Sequence, residues 1–355
     1  MVNSKKLISN LWRPDPDSFN RESYYRFDKN ERVTLFTPDQ FNNIISSLTP
    51  YDLVAYGELE PFYKKICEWL KLNRNNVLLT SGSDVAIKSA FETYLEKEDE
   101  VLISLPNYAM YSVYTQMFGG KEVQHFYEKD LTIDIKGFIK KISSKTKLII
   151  ISNPGHTGSI ISEKDLFKIL EVAKHNNSIL IVDEAYHHFY RKTMVPHIKK
   201  YNNLLVIRTF SKAFGLASIR IGLLIGAEEV IKELYKVKLV HEITGLAAKI
   251  GIFMLEHLDI VDQYVHTVSQ GKNVIYSRLK KLDFKVLESK ANFIFFKSQK
   301  TLDNAELKKY MLEKNCLISG PFLKQPFDGH LRVTVGDELK MNYFCDILEL
   351  FLNKQ

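Results

Sequence analysis

Between residues 77 and 226 the chain switches repeatedly from short runs of β-branched and aliphatic residues to longer amphipathic stretches, and this alternation constrains the fold more than any other feature. Strands are expected near 77–80, 101–104, 122–126, 148–152, 179–183, 204–208 and 222–225. Several runs, Leu148-Ile149-Ile150-Ile151 among them, are apolar throughout. Such strands are buried on both faces, the habit of parallel strands covered by helices. Between two of them a helix announces its start: Ser162 is followed three residues on by Asp165, then by Leu166, Ile169, Leu170 and Ala173 at helical spacing. The expected class is α/β, with a mostly parallel central sheet and helices on both faces.

At 355 residues the chain is long for one compact domain. A second α/β pattern follows about residue 240, with a strand at 292–297, a helix at 304–314, a strand at 331–335 and a helix at 338–352. The expected division is an N-terminal segment, 1–45, packing with the small domain, then a large domain, 46–250, and a smaller C-terminal domain, 251–355. The formal net charge of +7 comes from Lys scattered among acids, as in Lys280, Lys281, Asp283 and Lys285, and not from a basic block. The segment 136–147 is the nearest thing to a nucleic-acid surface, but it runs into a buried-looking strand, so no nucleic-acid partner is expected. Cys67, Cys316 and Cys345 lie far apart and form no C-x-x-C pair, against a disulfide framework or a structural zinc site. Neither a signal peptide nor a membrane-length apolar run is apparent, so a soluble cytoplasmic protein is expected.

Ligands of open parallel sheets gather beyond the carboxyl ends of the strands, and the residues there are coherent. After 77–80 comes Ser81-Gly82-Ser83-Asp84, opening a helix whose unpaired N–H groups and positive dipole end suit a phosphate or serve only as a cap. After 148–152 comes Asn153-Pro154-Gly155-His156-Thr157-Gly158. After 179–182 comes Asp183-Glu184-Ala185-Tyr186, where Asp183 ends a buried run and so faces a cleft. After 204–208 comes Thr209-Phe210-Ser211-Lys212-Ala213-Phe214-Gly215, followed by Arg220. A lone loop lysine is usually solvated; this one keeps company with an acid, hydroxyls and an arginine. His187 and His188 are adjacent, point in different directions, and are read as packing and surface residues, with no metal site expected.

These strings resemble those of the pyridoxal-5′-phosphate (PLP) dependent, fold-type-I, class I/II aminotransferases, most closely the histidinol-phosphate aminotransferase family. The resemblance is carried by 80–84, Pro106-Asn107-Tyr108-Ala109-Met110-Tyr111, 183–186, the run from Arg208 to Leu216, Ala291-Asn292-Phe293 and Leu331-Arg332-Val333-Thr334-Val335-Gly336. It implies the aspartate aminotransferase-like fold, with the large domain binding PLP. Lys212 would hold the cofactor as a Schiff base and shuttle protons. Asp183 would keep the pyridine nitrogen protonated. Asn153 and Tyr186 would hydrogen-bond the ring oxygen, and Tyr108 would stack on the ring. Ser83, Asp84, Ser211 and Arg220 would hold the phosphate. Tyr56 would reach the cofactor phosphate of a neighbouring subunit, which implies a homodimer. Arg332 would grip the substrate carboxylate, and Asn30 would contact substrate.

Three departures bear on substrate. The loop 153–158 is one residue short, with His156 where a proline is expected; Arg32-Val33 follows Asn30-Glu31 where an aromatic is usual; and Ser319 stands where an arginine for phosphorylated substrates is common. The leading expectation is a transaminase moving an amino group, from glutamate for preference, to a small carbonyl compound, whether phosphorylated or not. The alternative is a PLP decarboxylase of phosphoserine or phosphothreonine type, since the cofactor residues are the same in both. A non-enzymatic binding module predicts a damaged cofactor site, whereas Lys212, Asp183, Asn153, Tyr186 and Arg220 are all present.

Overall fold

The computed structural model describes residues 2–13, 20–299 and 302–354. After a two-residue strand β1 (Tyr25–Arg26), the main sheet is built from β2 (Val77–Ser81), β3 (Glu100–Leu105), β4 (Lys121–Phe126), β5 (Thr146–Ser152), β6 (Ile179–Asp183), β7 (Leu204–Thr209) and β8 (Ile221–Gly226). Their spatial order is β2-β8-β7-β6-β5-β3-β4. Neighbours are parallel from β7 through β4, and β8 runs antiparallel to β2 and β7. Side chains alternate across the pleat. Leu102, Ile149, Ile151, Leu180, Val182 and Val206 face one layer of helices, and Ile103, Leu148, Ile150, Ile181, Leu205 and Ile207 face the other, all fully buried. Each such side chain stabilises the sheet by about 1.5–3 kcal/mol relative to exposure.

The helix Glu163–His175 starts where its sequence signal lies: Ser162 Oγ accepts from the Asp165 N–H at 3.1 Å. Its buried face is Leu166, Ile169, Leu170 and Ala173.

A second sheet holds β9 (Phe284–Leu287), β10 (Phe293–Ser298) and β12 (Leu331–Thr334), antiparallel in the order β12-β10-β9, and β11 (Cys316–Leu317) pairs with β1. The long helix Leu258–Lys281 and the helix Glu338–Leu352 pack with this sheet around a core that includes Tyr264, Ile275, Phe296, Val333 and Phe344. Phe27 and Val33 from the N-terminal segment lie in the same core, and the Thr334 N–H donates to the Phe27 carbonyl at 2.8 Å. The strands β1, β9 and β11 go beyond the sequence-based expectation, because two to four residues leave too little periodicity to read.

Since β2, β3, β5, β6 and β7 run the same way, Ser81, Leu105, Ser152, Asp183 and Thr209 end at one edge of the main sheet. A buried ion pair braces that edge. Arg208 Nε donates to Glu184 Oε2 at 2.8 Å with both side chains at most 5% exposed, and the same carboxylate accepts from Thr193 Oγ1 and the Met194 N–H. Arg208→Ala strands that carboxylate away from water, so stability is expected to fall by about 3–5 kcal/mol, read as a lower urea-unfolding midpoint. An unchanged midpoint contradicts the brace.

Candidate active site

The loops beyond this edge enclose a cavity of about 550 Å³. Ser83, Asp84, Tyr108, Asp183, Tyr186, Ser211, Lys212 and Arg220, from five separate stretches of chain, all line it. Lys212 follows β7, and its Nζ donates to the Lys29 carbonyl at 3.2 Å. Burial, with repulsion from Arg332, lowers its pKa to about 8, although Glu31 and Asp183 pull the other way. A lysine so placed is a usable nucleophile near neutral pH.

Asp183 closes β6. Burial raises its carboxyl pKa, opposed by a hydrogen bond that Tyr111 donates to Oδ2 at 2.6 Å and by the Ala185 N–H at 3.0 Å on Oδ1. Among the described residues no cation pairs with it. Tyr111 also meets Ser152 Oγ at 2.9 Å, and Ser152 in turn donates to Asn107 Oδ1 at 2.9 Å. This network is a functional feature that reading the sequence missed. Its one sequence signal is the placing of Tyr108 and Tyr111 three apart at a helix start, which puts both on one face.

The helix Gly82–Tyr94 also begins at this cavity. Gly82 adopts a left-handed φ of 80°, and a Cβ there would collide with the Arg220 guanidinium. Only glycine lets that cation sit on the helix N-terminus. Arg220 Nη1 donates to the Ala217 carbonyl at 3.1 Å and to Ser211 Oγ at 3.4 Å, and among the described residues no carboxylate pairs with it. Cation, hydroxyls and helix N-terminus together form an anion cradle. Asp84 also lines the cavity, and its carboxylate accepts from Tyr114 at 2.9 Å and from Tyr108 at 3.4 Å, so it orients those aromatic rings.

Four expected site residues do not line the cavity. Asn153 closes its own loop, accepting from the Ile161 N–H at 2.9 Å and donating to the Ile161 carbonyl at 3.1 Å. Asn30, expected on substrate, is buried and hydrogen-bonded through both its side chain and its backbone. It donates to Tyr186 Oη at 2.8 Å, accepts from Thr334 at 3.2 Å, and its backbone bonds Thr334 and Asn292. It positions Tyr186. Tyr56 is 79% exposed and stacks on His241 with centroids 4.1 Å apart, outside this cavity. Arg332 is buried behind Tyr186, with Nη2 donating to the Asp28 carbonyl at 2.7 Å and to Ser319 Oγ at 3.1 Å, while Nε has no partner. Ser319, where an arginine is common, thus braces Arg332.

His187 Nδ1 meets the Lys192 carbonyl and His188 stacks on Trp69; among the described residues no group of three or more His, Cys, Asp or Glu side chains is placed to hold a metal ion.

A buried nucleophilic amine, a buried acid without a cation and an anion cradle, set around one cavity, match the three functional ends of PLP: aldehyde, ring nitrogen and phosphate. The donor set fits the cofactor. Residues 49–348 match the aminotransferase class I and II family, and the chain belongs to that family. Its fold is the aspartate aminotransferase-like fold. Within that class it is similar to the histidinol-phosphate aminotransferase of Thermoanaerobacter sp. (strain X514), 31% identical over 357 residues that cover 98% of this chain and 100% of that protein. The solved histidinol-phosphate aminotransferase of Sinorhizobium meliloti, in complex with pyridoxal-5′-phosphate, superposes with a TM-score of 0.87 at 19% identity over 99% of each chain. L-threonine-O-3-phosphate decarboxylase from Porphyromonas gingivalis superposes at 0.78 with 20% identity, covering 92% of this chain and 99% of that one. At those identities the two structures speak for the fold alone.

Proposed function

We propose that this chain is a PLP-dependent aminotransferase that moves an amino group from an amino acid, glutamate foremost, to a small carbonyl acceptor of the kind histidinol-phosphate aminotransferases use. The observation that carries this reading is the meeting of Lys212, Asp183 and Arg220 in one cavity. Bound there, PLP supplies an aldehyde for amines to condense with and a ring that, protonated at nitrogen, draws electron density from the substrate carbon.

The chain's own residues do the rest. Arg220, Ser211 and the N–H groups at Ser83 and Asp84 hold the phosphate. Asp183 keeps a proton on the ring nitrogen, and Tyr111 keeps Asp183 in place and ionised. Lys212 Nζ takes the proton from the substrate carbon and returns it elsewhere on the bound system. Tyr186 Oη, fixed by Asn30, is left with its own proton to donate. Arg332 does not itself line the cavity; its buried guanidinium, with an unpartnered Nε and, among the described residues, no ion pair, is the group suited to the substrate carboxylate. Arg26, Lys29 and Arg32 at the cavity wall suit an acceptor bearing a second anionic group.

Tyr51, Leu53, Val54, Tyr56, Leu239 and Val240 are exposed apolar residues, and Tyr56 lies against His241. An apolar surface of this kind favours a homodimer in which Tyr56 serves the partner's site. Sedimentation of the purified protein checks it. No helix of the described residues is long and apolar enough to cross a membrane. The three free cysteines, two of them buried, suit the reducing cytoplasm.

Mixing the holoenzyme with glutamate, without acceptor, is expected to shift the cofactor absorbance stoichiometrically, and an added carbonyl acceptor to restore it. A spectrum that resists every amino acid refutes transamination, and carbon dioxide release from phosphothreonine instead transfers the assignment to the decarboxylase. Arg332→Lys is expected to raise KM for the amino donor about 10- to 100-fold, since a charge-assisted fork is lost, with cofactor affinity unchanged. An unaltered KM removes Arg332 from the substrate site.

A further inference from the structure

His156 belongs to none of the roles above, yet it lines the cavity. The loop that carries it is pinned on all sides. Asn153 closes on Ile161, the Gly155 N–H donates to the Ser159 carbonyl at 2.9 Å, and Gly158 at φ 81° lies against Ser289. Gly155 packs so closely under Tyr127 that a Cβ there would stand 3.0 Å from the phenol oxygen. One residue shorter than usual, this loop places an imidazole where Asn153 does not reach.

The His156 ring lies nearly parallel to Tyr108, with centroids 5.6 Å apart and planes 21° off, and edge-on to Tyr186 at 6.1 Å and 73°. Its Nδ1 is buried without a partner, whereas Nε2 is not sealed off. Burial, together with the nearby charges of Arg332 and Lys212, holds its pKa down at about 3, so the ring is neutral across the physiological range. A neutral imidazole carries one N–H. With no acceptor within reach of Nδ1, that proton belongs on Nε2, on the side left open to the cavity.

The chemistry of the cofactor says what this donor meets. On PLP the aldehyde carbon is flanked on the ring by two groups only, the phosphate arm and the phenolic oxygen. Arg220 and Ser211 mark the phosphate side, and Lys212 marks the aldehyde. His156 lies edge-on to Tyr186 at 6.1 Å and lines the same cavity, so the two side chains stand together at the place where a donor to the phenolic oxygen is needed. We propose that His156 donates a hydrogen bond to the phenolic oxygen of bound PLP, beside Tyr186, in the place expected for Asn153.

The inference rests on the PLP reading, and the test separates the two. The holoenzyme is titrated by absorbance across pH, and the apoprotein's affinity for PLP is measured by fluorescence. This is done for the unaltered protein, for His156→Phe, which keeps a ring without a donor, and for His156→Ala. A donor to an anionic oxygen holds that oxygen's proton affinity down, so both variants are expected to raise the absorbance midpoint by about one to two pH units, the size of a hydrogen bond to a charged group. PLP affinity is expected to fall about tenfold in both. Should the phenylalanine variant fail to fold, the alanine variant carries the same two outcomes. If the unaltered protein takes up PLP and both variants keep its midpoint and affinity, His156 is a packing or substrate residue and the inference is overturned. If the unaltered protein takes up no PLP at all, the cofactor reading fails first.

Discussion

Lys212→Ala is expected to lower turnover by at least about 10⁴-fold, because it removes both the covalent attachment point and the group that moves the proton. Borohydride treatment with PLP is expected to label position 212 in the unaltered protein and to leave it unlabelled in the variant. Residual turnover within about a hundredfold of the original is incompatible with these roles. The fold survives, because Lys212 costs the apoprotein stability instead of supplying it. Its pKa is about 8 in the folded chain against 10.5 for the free side chain. Below about 8 the amine is protonated in both states, and the folded state bears the full cost of burying the charge. As pH rises from 8 to 10.5 the unfolded chain still holds a proton that the folded chain has released, so stability climbs with pH over that window. At full value the cost is about 3 kcal/mol, and water reaching the cavity mouth reduces it. The apoprotein carrying Lys212→Met is therefore expected to unfold at higher urea than the unaltered apoprotein at pH 7, with the gap closing as pH approaches 10.5. A gap of opposite sign, or one that widens with pH, contradicts the buried-amine geometry.

Asp183→Ala is expected to cost about 10²- to 10⁴-fold in kcat/KM. The ring nitrogen loses the carboxylate that holds its proton; removing one member of a buried ion pair costs about 3–5 kcal/mol, and each 1.36 kcal/mol is tenfold in rate. The apoprotein is expected to fold normally, since the carboxylate it loses is buried with, among the described residues, no cation in ion-pair contact, and burial already raises its pKa. The kinetic loss thus separates from stability when kcat/KM and urea midpoints are measured on the same preparations. A variant within tenfold of the original enzyme means that Asp183 is not the ring's anchor.

The sequence was most legible where side-chain periodicity meets long, fully buried elements. The seven strands of the main sheet and the cap at Ser162 could be read from the order of residues alone, whereas Asp183, Ser211, Lys212 and Arg220 stood out by their place after the strands and took their expected roles from the family resemblance. It was less legible where a side chain chooses between neighbours. Asn153 follows β5 as Asp183 follows β6, yet one turns back onto Ile161 and the other opens on the cavity. Asn30 reads as a substrate contact, but a left-handed φ of 56° and four hydrogen bonds commit it to Tyr186, Thr334 and Asn292.

What the residues settled by themselves is the architecture and the chemistry available at its edge: alternation and burial propensity are local properties, and a parallel sheet gathers its strand ends on one side whatever the loops do. What only the folded chain decided is which polar atoms are free. Tyr111 proves to be the support of Asp183, Ser319 the brace of Arg332, and His156 the unpartnered imidazole beside Lys212, because hydrogen-bond saturation depends on groups that lie far apart in sequence and meet only through packing.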